Sequence, residues 1–408
     1  MFINRKIQSS IQNHLDKKEY TIITGARQTG KTTMISQFFK ELKENSDRVF
    51  FLSFENSDIL RDINKSPENI FKYALRPENP LAKNEANERV VIFIDEIQYA
   101  AHPSNFLKYL FDKYLDNLKI VATGSSAFYL DSSFKDSLAG RKRIFVLQTL
   151  SFEEFLLFLN REDLLLVLDN LRKQSDYISA QQNEMLEMFN QYLIYGGYPA
   201  VVLEKDINEK RAYLRELKNS FLKREIDESG VENSDAFYKL AALLSGQACN
   251  LVNRNELANT IGIDNKTIER YLFVLQKCFH IELLKPFSGN LRKELTKMPM
   301  VYFYDLGMRN VLINRFFPFE QREDKGQLLE NYVFKRLSEK YPIDDLKFWR
   351  TTDNKEIDFV VNGAVERLAY EVKFSCKKQN NTASKVFLQN YSNYLSYSMT
   401  YLTLFPDH

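Results

Sequence analysis

Short apolar runs separated by amphipathic stretches dominate the first 150 residues. Tyr20–Thr24, Val49–Phe54, Val90–Ile94, Lys119–Thr123 and Arg143–Leu147 are rich in Val, Ile and Phe. The segments between them carry apolar residues at helical spacing. Strands alternating with helices predict βαβ units around a parallel sheet buried on both faces. From residue 151 the pattern turns helical, with apolar positions three and four apart over Glu153–Leu168, Asn183–Leu193 and Ile207–Glu225. Gly196-Gly197-Tyr198-Pro199 interrupts these helices with a turn.

Beyond residue 250 the order is helix (Asn255–Thr260), Gly262, capped helix (Asp264–Cys278) and strand (Ile281–Leu284). A turn at Ser288-Gly289-Asn290 and a strand at Val301–Tyr304 follow. That order predicts a winged helix. A last helix, Leu328–Tyr341, leads to strands at Leu346–Arg350, Ile357–Val361 and Ala369–Phe374. The expected division is residues 1–150, 151–250, 251–318 and 319–408.

Composition narrows the function classes. The 408 residues are 44% hydrophobic and 27% charged, ordinary globular usage, so extensive disorder is excluded. Lys and Arg number 56 against 54 Asp and Glu, so a nucleic-acid surface would have to be local. Cys249, Cys278 and Cys376 form no CxxC pair, and there are four His. A disulfide framework and a thiolate zinc site are therefore not expected. No apolar run approaches the roughly 20 residues of a membrane span, and a cytoplasmic location is expected.

The strongest chemical signal is Gly25-Ala26-Arg27-Gln28-Thr29-Gly30-Lys31-Thr32, followed by Thr33, with a strand before it and a helix after. This pattern makes a phosphate cradle of backbone N–H groups at a helix N-terminus. Lys31 is placed for the β- and γ-phosphates of ATP, and Thr32 for Mg²⁺. Val90–Ile94 ends in Asp95-Glu96, two acids at the sheet edge where ligands bind. Asp95 is expected to hold the Mg²⁺ shell and Glu96 to polarise the attacking water. The run at Lys119–Thr123 ends in Gly124-Ser125-Ser126, where Ser125 could meet the γ-phosphate or the water. Arg141, just before the fifth run, could bring positive charge to the transition state from its own subunit or a neighbouring one. Together these residues resemble the AAA+ branch of the P-loop ATPases. They look in particular like a prokaryotic group with a C-terminal domain of uncertain function.

Near the C-terminus, Glu356-Ile357-Asp358 precedes Glu371-Val372-Lys373. Glu371 and Lys373 share one strand face, and Glu330 lies on the helix upstream. This spacing resembles the PD-(D/E)XK nuclease superfamily. The resemblance implies a Mg²⁺ site of Glu330, Asp358 and Glu371, with Lys373 assisting water. Between Asn250 and Met300, eight basic residues face five acidic ones. Asn265, Lys266, Thr267 and Arg270 open the second helix, and Arg292, Lys293 and Lys297 lie on the expected wing. Double-stranded DNA is the expected partner, with a homo-oligomer possible and no membrane. The expected whole is an α/β P-loop sheet, a helical and winged-helix region, and a C-terminal α/β nuclease-like domain. Its function would be ATP-controlled action on DNA. The alternative is a nucleotide-dependent switch or scaffold that binds without cutting.

Overall fold

The computed structural model describes residues 3–77, 89–124, 138–173, 179–374 and 382–400. Two compact units emerge: residues up to Gln148 with Lys277–Phe279, and Thr149–Gln276 with the residues from His280 onward.

In the first unit the five apolar runs become five strands: β1 (Tyr20–Thr24), β2 (Val49–Ser53), β3 (Val90–Asp95), β4 (Leu118–Gly124) and β5 (Lys142–Val146). All pairings are parallel, in the order β2-β3-β4-β1-β5. Neighbouring residues on a strand bury into opposite layers. Ile23, Phe93 and Val121 pack under α1 (Gln8–Leu15) and α2 (Lys31–Lys43). Ile22, Ile92, Ile94 and Ile120 pack under α3 (Ser57–Lys65) and α4 (Pro103–Tyr114). Register aligns the carboxyl ends of β1, β3 and β4 along one edge, with Thr24 opposite Gly124 and Ile94 opposite Ala122. The expected P-loop α/β fold is therefore present.

The second unit starts with five helices: α5 (Phe152–Phe158), α6 (Glu162–Lys173), α7 (Gln182–Tyr195), α8 (Pro199–Leu203) and α9 (Ile207–Ser229). Ser151 opens α5 with a capping box completed by Glu154. Three more helices follow: α10 (Ser234–Gly246), α11 (Arg254–Ile261) and α12 (Asn265–Lys277). Gly262, in the left-handed region, ends α11. An antiparallel pair then forms from β6 (Ile281–Leu284) and β7 (Met300–Phe303), with a bridge from Leu251 to Met300.

The connection from β6 to β7 departs from the expected free wing. It contains a helix, α13 (Leu291–Thr296), and it joins the C-terminal sheet. That sheet comprises β8 (Leu346–Arg350), β9 (Glu356–Asn362), β10 (Arg367–Lys373) and β11 (Leu395–Thr400), in the order β11-β10-β9-β8. Phe287 N–H donates to Phe348 O at 2.5 Å, and Phe348 N–H to Lys285 O at 3.2 Å. Lys347 pairs with the buried Glu294. An edge strand needs partners for its backbone groups, and on β8 this connection supplies them. The helix α15 (Lys325–Lys340) precedes the sheet, and α16 (Thr382–Asn390) makes the crossover that a parallel β10–β11 pair requires.

A buried ionic cluster sits beneath α14 (Leu306–Leu312). Gly307 lets that helix touch α7: a Cβ there would lie 2.1 Å from Tyr195 O. Arg309, fully buried, donates to Asp324 at 2.7 Å, and Arg322 donates to the same oxygen at 2.8 Å. Burial pushes the Asp324 carboxyl up, but the Arg322 and Arg309 guanidiniums outweigh it and hold the group well below the usual carboxylate range. Asp324→Asn leaves two buried cations without their anion. It should cost about 3–5 kcal/mol, measured by urea unfolding at pH 7. A midpoint equal to wild type would refute the cluster's importance. A depressed carboxyl stabilises above its unfolded value, so the difference should shrink as pH falls below about 4.

Candidate functional site

The loop from Gly25 to Thr32 leaves the carboxyl end of β1 and enters α2. Its backbone bends through Gly25 (φ 142°), Gln28 (φ 56°) and Gly30 (φ 97°). At Gly25 a side chain is excluded outright, since a Cβ would lie 2.1 Å from Leu147 O. Ala26, Arg27, Thr29 and Lys31 are buried, whereas Gln28, Thr32 and Thr33 are exposed at the loop mouth and the first turn of α2. Lys31 Nζ donates to Gly25 O at 3.0 Å and Ala26 O at 2.8 Å, and Thr29 Oγ1 donates to Ala26 O at 2.9 Å.

The second half of the site comes from β3 and β4. Thr32 Oγ1 lies 3.1 and 3.0 Å from the two oxygens of Asp95, a carboxylate only 6% exposed. Thr123 Oγ1 donates to Asp95 Oδ1 and accepts from the Glu96 N–H at 3.0 Å. Glu96 itself has φ 55°, which turns the chain sharply off β3, and Gln98 Nε2 donates to its carboxylate. The structure thus brings Lys31, Thr32, Asp95 and Glu96 to one sheet edge, as expected. A hydroxyl beside a buried carboxylate is a hard oxygen set that fits Mg²⁺.

Two residues at this edge were missed. Thr123 ties Asp95 to the Glu96 backbone, whereas sequence reasoning chose Ser125, which lies outside the described residues. The signal was a polar residue ending an apolar strand. Gln98 was missed because no spacing rule marks it.

Arg141 is placed differently from one of its two expectations. It precedes β5, and its carbonyl accepts from Tyr20 N–H at the start of β1. It therefore stands at the amino edge of the sheet. A five-residue strand at about 3.3 Å per residue separates that edge from the phosphate loop by roughly 15 Å. Its Nε donates to Asp112 at 2.6 Å. The phosphate loop of its own chain thus stands at the opposite edge of the sheet.

In the second unit, the C-terminal candidates converge. Glu330, on α15, is half-buried and accepts from Tyr302 OH at 2.7 Å. Burial, reinforced by Asp358, pushes its carboxyl well up. Asp358 accepts from Val372 N–H at 2.6 Å, and burial pushes its carboxyl up to about 7. Lys373 Nζ lies 3.0 Å from Glu371, which also accepts from Ser384 Oγ at 3.2 Å. Among the described residues no group of three or more His, Cys, Asp or Glu is placed to hold a metal ion. Each of the Glu330, Asp358 and Glu371 carboxyls already has a donor within the protein.

The expected DNA-reading side chains are partly engaged. Thr267 Oγ1 donates to Asp264 at 2.6 Å, Asn265 donates to Asn255 at 2.6 Å, and Arg270 donates to Gly230 O. Lys266, Arg292 and Lys297 are exposed. Among the described residues no helix is long and apolar enough to cross a membrane.

The raised Asp358 carboxyl has a stability consequence. A folded-state value above the unfolded one, about 3.9, means the native protein binds the extra proton. Stability should therefore fall as pH rises from about 4 to about 7. Asp358→Asn removes that slope: its thermal midpoint should exceed wild type at pH 8 and approach it at pH 5. An identical gap at both pH values would show that Asp358 does not titrate in this window.

Comparison with known proteins places the first unit. Residues 17–156 match a family model described as an AAA domain. Residues 186–318 and 325–402 match two further models, each described as a domain of unknown function. An uncharacterized protein of Methanocaldococcus jannaschii is 27% identical over 383 residues, covering 91% of this chain and 79% of its own. An uncharacterized protein of Haemophilus influenzae is 25% identical over 365 residues, covering 86% and 82%. Among solved structures, the Aeropyrum pernix ORC2 protein with ADPNP and ADP aligns over 81% of this chain and 91% of its own, at 11% identity and a TM-score of 0.39. AMPPCP-bound DnaA from Aquifex aeolicus aligns over 68% and 89%, at 15% identity and a TM-score of 0.30. By its own sheet order the first unit has a P-loop α/β fold, and residues 17–156, which run from it into the start of the second unit, resemble an AAA domain.

Proposed function

We propose that this chain binds and hydrolyses ATP, and that its nucleotide state governs a DNA-associated module in the second unit. The observation that carries the ATPase is the run of hydrogen bonds joining Thr32, Asp95, Thr123 and the Glu96 backbone. Thr32 and Asp95 are the residues to hold Mg²⁺. When bound, that ion neutralises charge on the β- and γ-phosphates. The N–H groups of the loop cradle the phosphates, aided by the N-terminus of α2. Lys31 Nζ exchanges the Gly25 and Ala26 carbonyls for phosphate oxygens. Glu96, oriented by Gln98, accepts the proton of the attacking water. Arg141 serves the site of a neighbouring copy, so activity per chain should rise with protein concentration.

For the second unit we favour binding over cutting, because Glu330, Asp358 and Glu371 are satisfied from within, and among the described residues no group of three or more such side chains is placed to hold an ion. The order of α11, a three-residue turn with Gly262 and α12 supports double-stranded DNA as the partner, with Lys266 exposed on the first turn of α12. Phosphodiester cleavage is the second reading. It is favoured by Lys373 standing beside Glu371 at the end of β10, where Val372 between them donates to Asp358 of β9.

Glu96→Gln should bind a fluorescent ATP analogue as wild type does and hydrolyse ATP about 10²–10⁴-fold more slowly. Undiminished phosphate release would remove Glu96 from the mechanism. The same assays with double-stranded DNA decide the second unit. Stimulated hydrolysis with intact DNA supports the binding module. Strand loss that disappears in Asp358→Ala and Glu371→Ala moves the assignment to the nuclease.

A further inference from the structure

A phosphate loop that turns its N–H groups toward an anion turns carbonyls the other way, and those carbonyls need donors. Lys31 and Thr29 supply donors from the loop itself. A third comes from outside it. Arg5, before α1 and only 8% exposed, donates from Nη1 to Thr29 O at 2.9 Å. Its Nη2 donates to Gln148 O at 2.7 Å, 143 positions away in the chain.

Gln148 belongs to the segment by which the chain leaves the first unit. The residue before it, Leu147, donates its N–H to Thr24 O at 2.7 Å. Its carbonyl is the atom that Gly25 closes upon. The loop is thus fastened to this exit segment at both ends: Gly25 against Leu147, and Thr29 through Arg5 to Gln148. The following residues are held within the second unit. Lys335 Nζ donates to Thr149 O and Oγ1 at 3.1 Å, and Leu150 N–H donates to Gly197 O at 2.8 Å.

We propose that Arg5 is a positioning residue of the ATP site, and that it makes the phosphate loop and the exit segment respond to nucleotide as one piece. This rests on the ATP-site reading above. An arginine is required because two carbonyls from different segments are met at once by a rigid fork of donors, which one ammonium cannot imitate.

The test uses the full chain as wild type, Arg5→Ala, Arg5→Lys and Lys31→Ala. Arg5→Ala should lose on the order of 10- to 100-fold in kcat/KM for ATP. Millimolar guanidinium, but not methylammonium, should restore part of it. Arg5→Lys, which retains the buried charge, should stay impaired, and it carries the test if the alanine variant fails to fold. In wild type, ATP should slow amide hydrogen exchange at residues 147–150, and this effect should vanish in Arg5→Lys. Arg5 variants with wild-type kinetics and ATP-dependent protection, beside an active wild type and an inactive Lys31→Ala, overturn this inference alone. Wild type that neither binds nor hydrolyses ATP overturns the ATP-site reading and this inference with it.

Discussion

The Asp95 carboxylate governs the first unit. A buried carboxylate is costly unless donors surround it, and here two hydroxyls on different elements do so: Thr32 from α2 and Thr123 from β4. The same Thr123 receives the Glu96 N–H. One polar network therefore sets where the phosphate loop stands relative to the two acids. It can form only because a parallel sheet brings the ends of β1, β3 and β4 to one edge in register. The apolar layers on both faces supply the stability, and the polar edge spends a little of it on chemistry.

The second unit solves a similar problem at two places with opposite results. At Asp324, two guanidiniums meet one carboxylate and hold it ionised in the interior. At Glu330 and Asp358, burial has no matching cation close enough to win, and both carboxyls are driven toward the neutral form. The first arrangement is a structural clamp beneath α14. The second is held by hydrogen bonds from within the unit, Tyr302 to Glu330 and the Val372 N–H to Asp358. Those internal donors are the ground for favouring binding over cutting.

Packing also changes the meaning of the basic segment at residues 285–297. Read as a wing, it would be a free hairpin offered to DNA. In the fold, its backbone extends the edge of β8, Glu294 takes Lys347, and Phe287 enters the core beside Trp349 and Phe387. Its exposed cations are presented by a fixed platform. The segment has thereby joined two regions whose sequence patterns look separate.

The five strands of the first unit, the phosphate loop and the acidic pair were all legible in the chain, as were α11, α12 and the three C-terminal strand runs. Each is a local matter: periodicity reports which face is buried, and a glycine-rich loop after a strand reports backbone chemistry within eight residues. Thr123 and Arg5 were not legible, because their roles depend on partners 28 and 143 positions away that only the fold selects; Gln98 was not, because no spacing rule marks a glutamine two positions after an acid. Arg141 was legible as a candidate, yet its edge of the sheet was not, since strand direction and register arise from pairing. The carboxyls of Glu330 and Asp358 show the same limit most plainly. Their spacing is written in the chain, but whether they are ionised depends on the solvent and charges that folding removes or supplies.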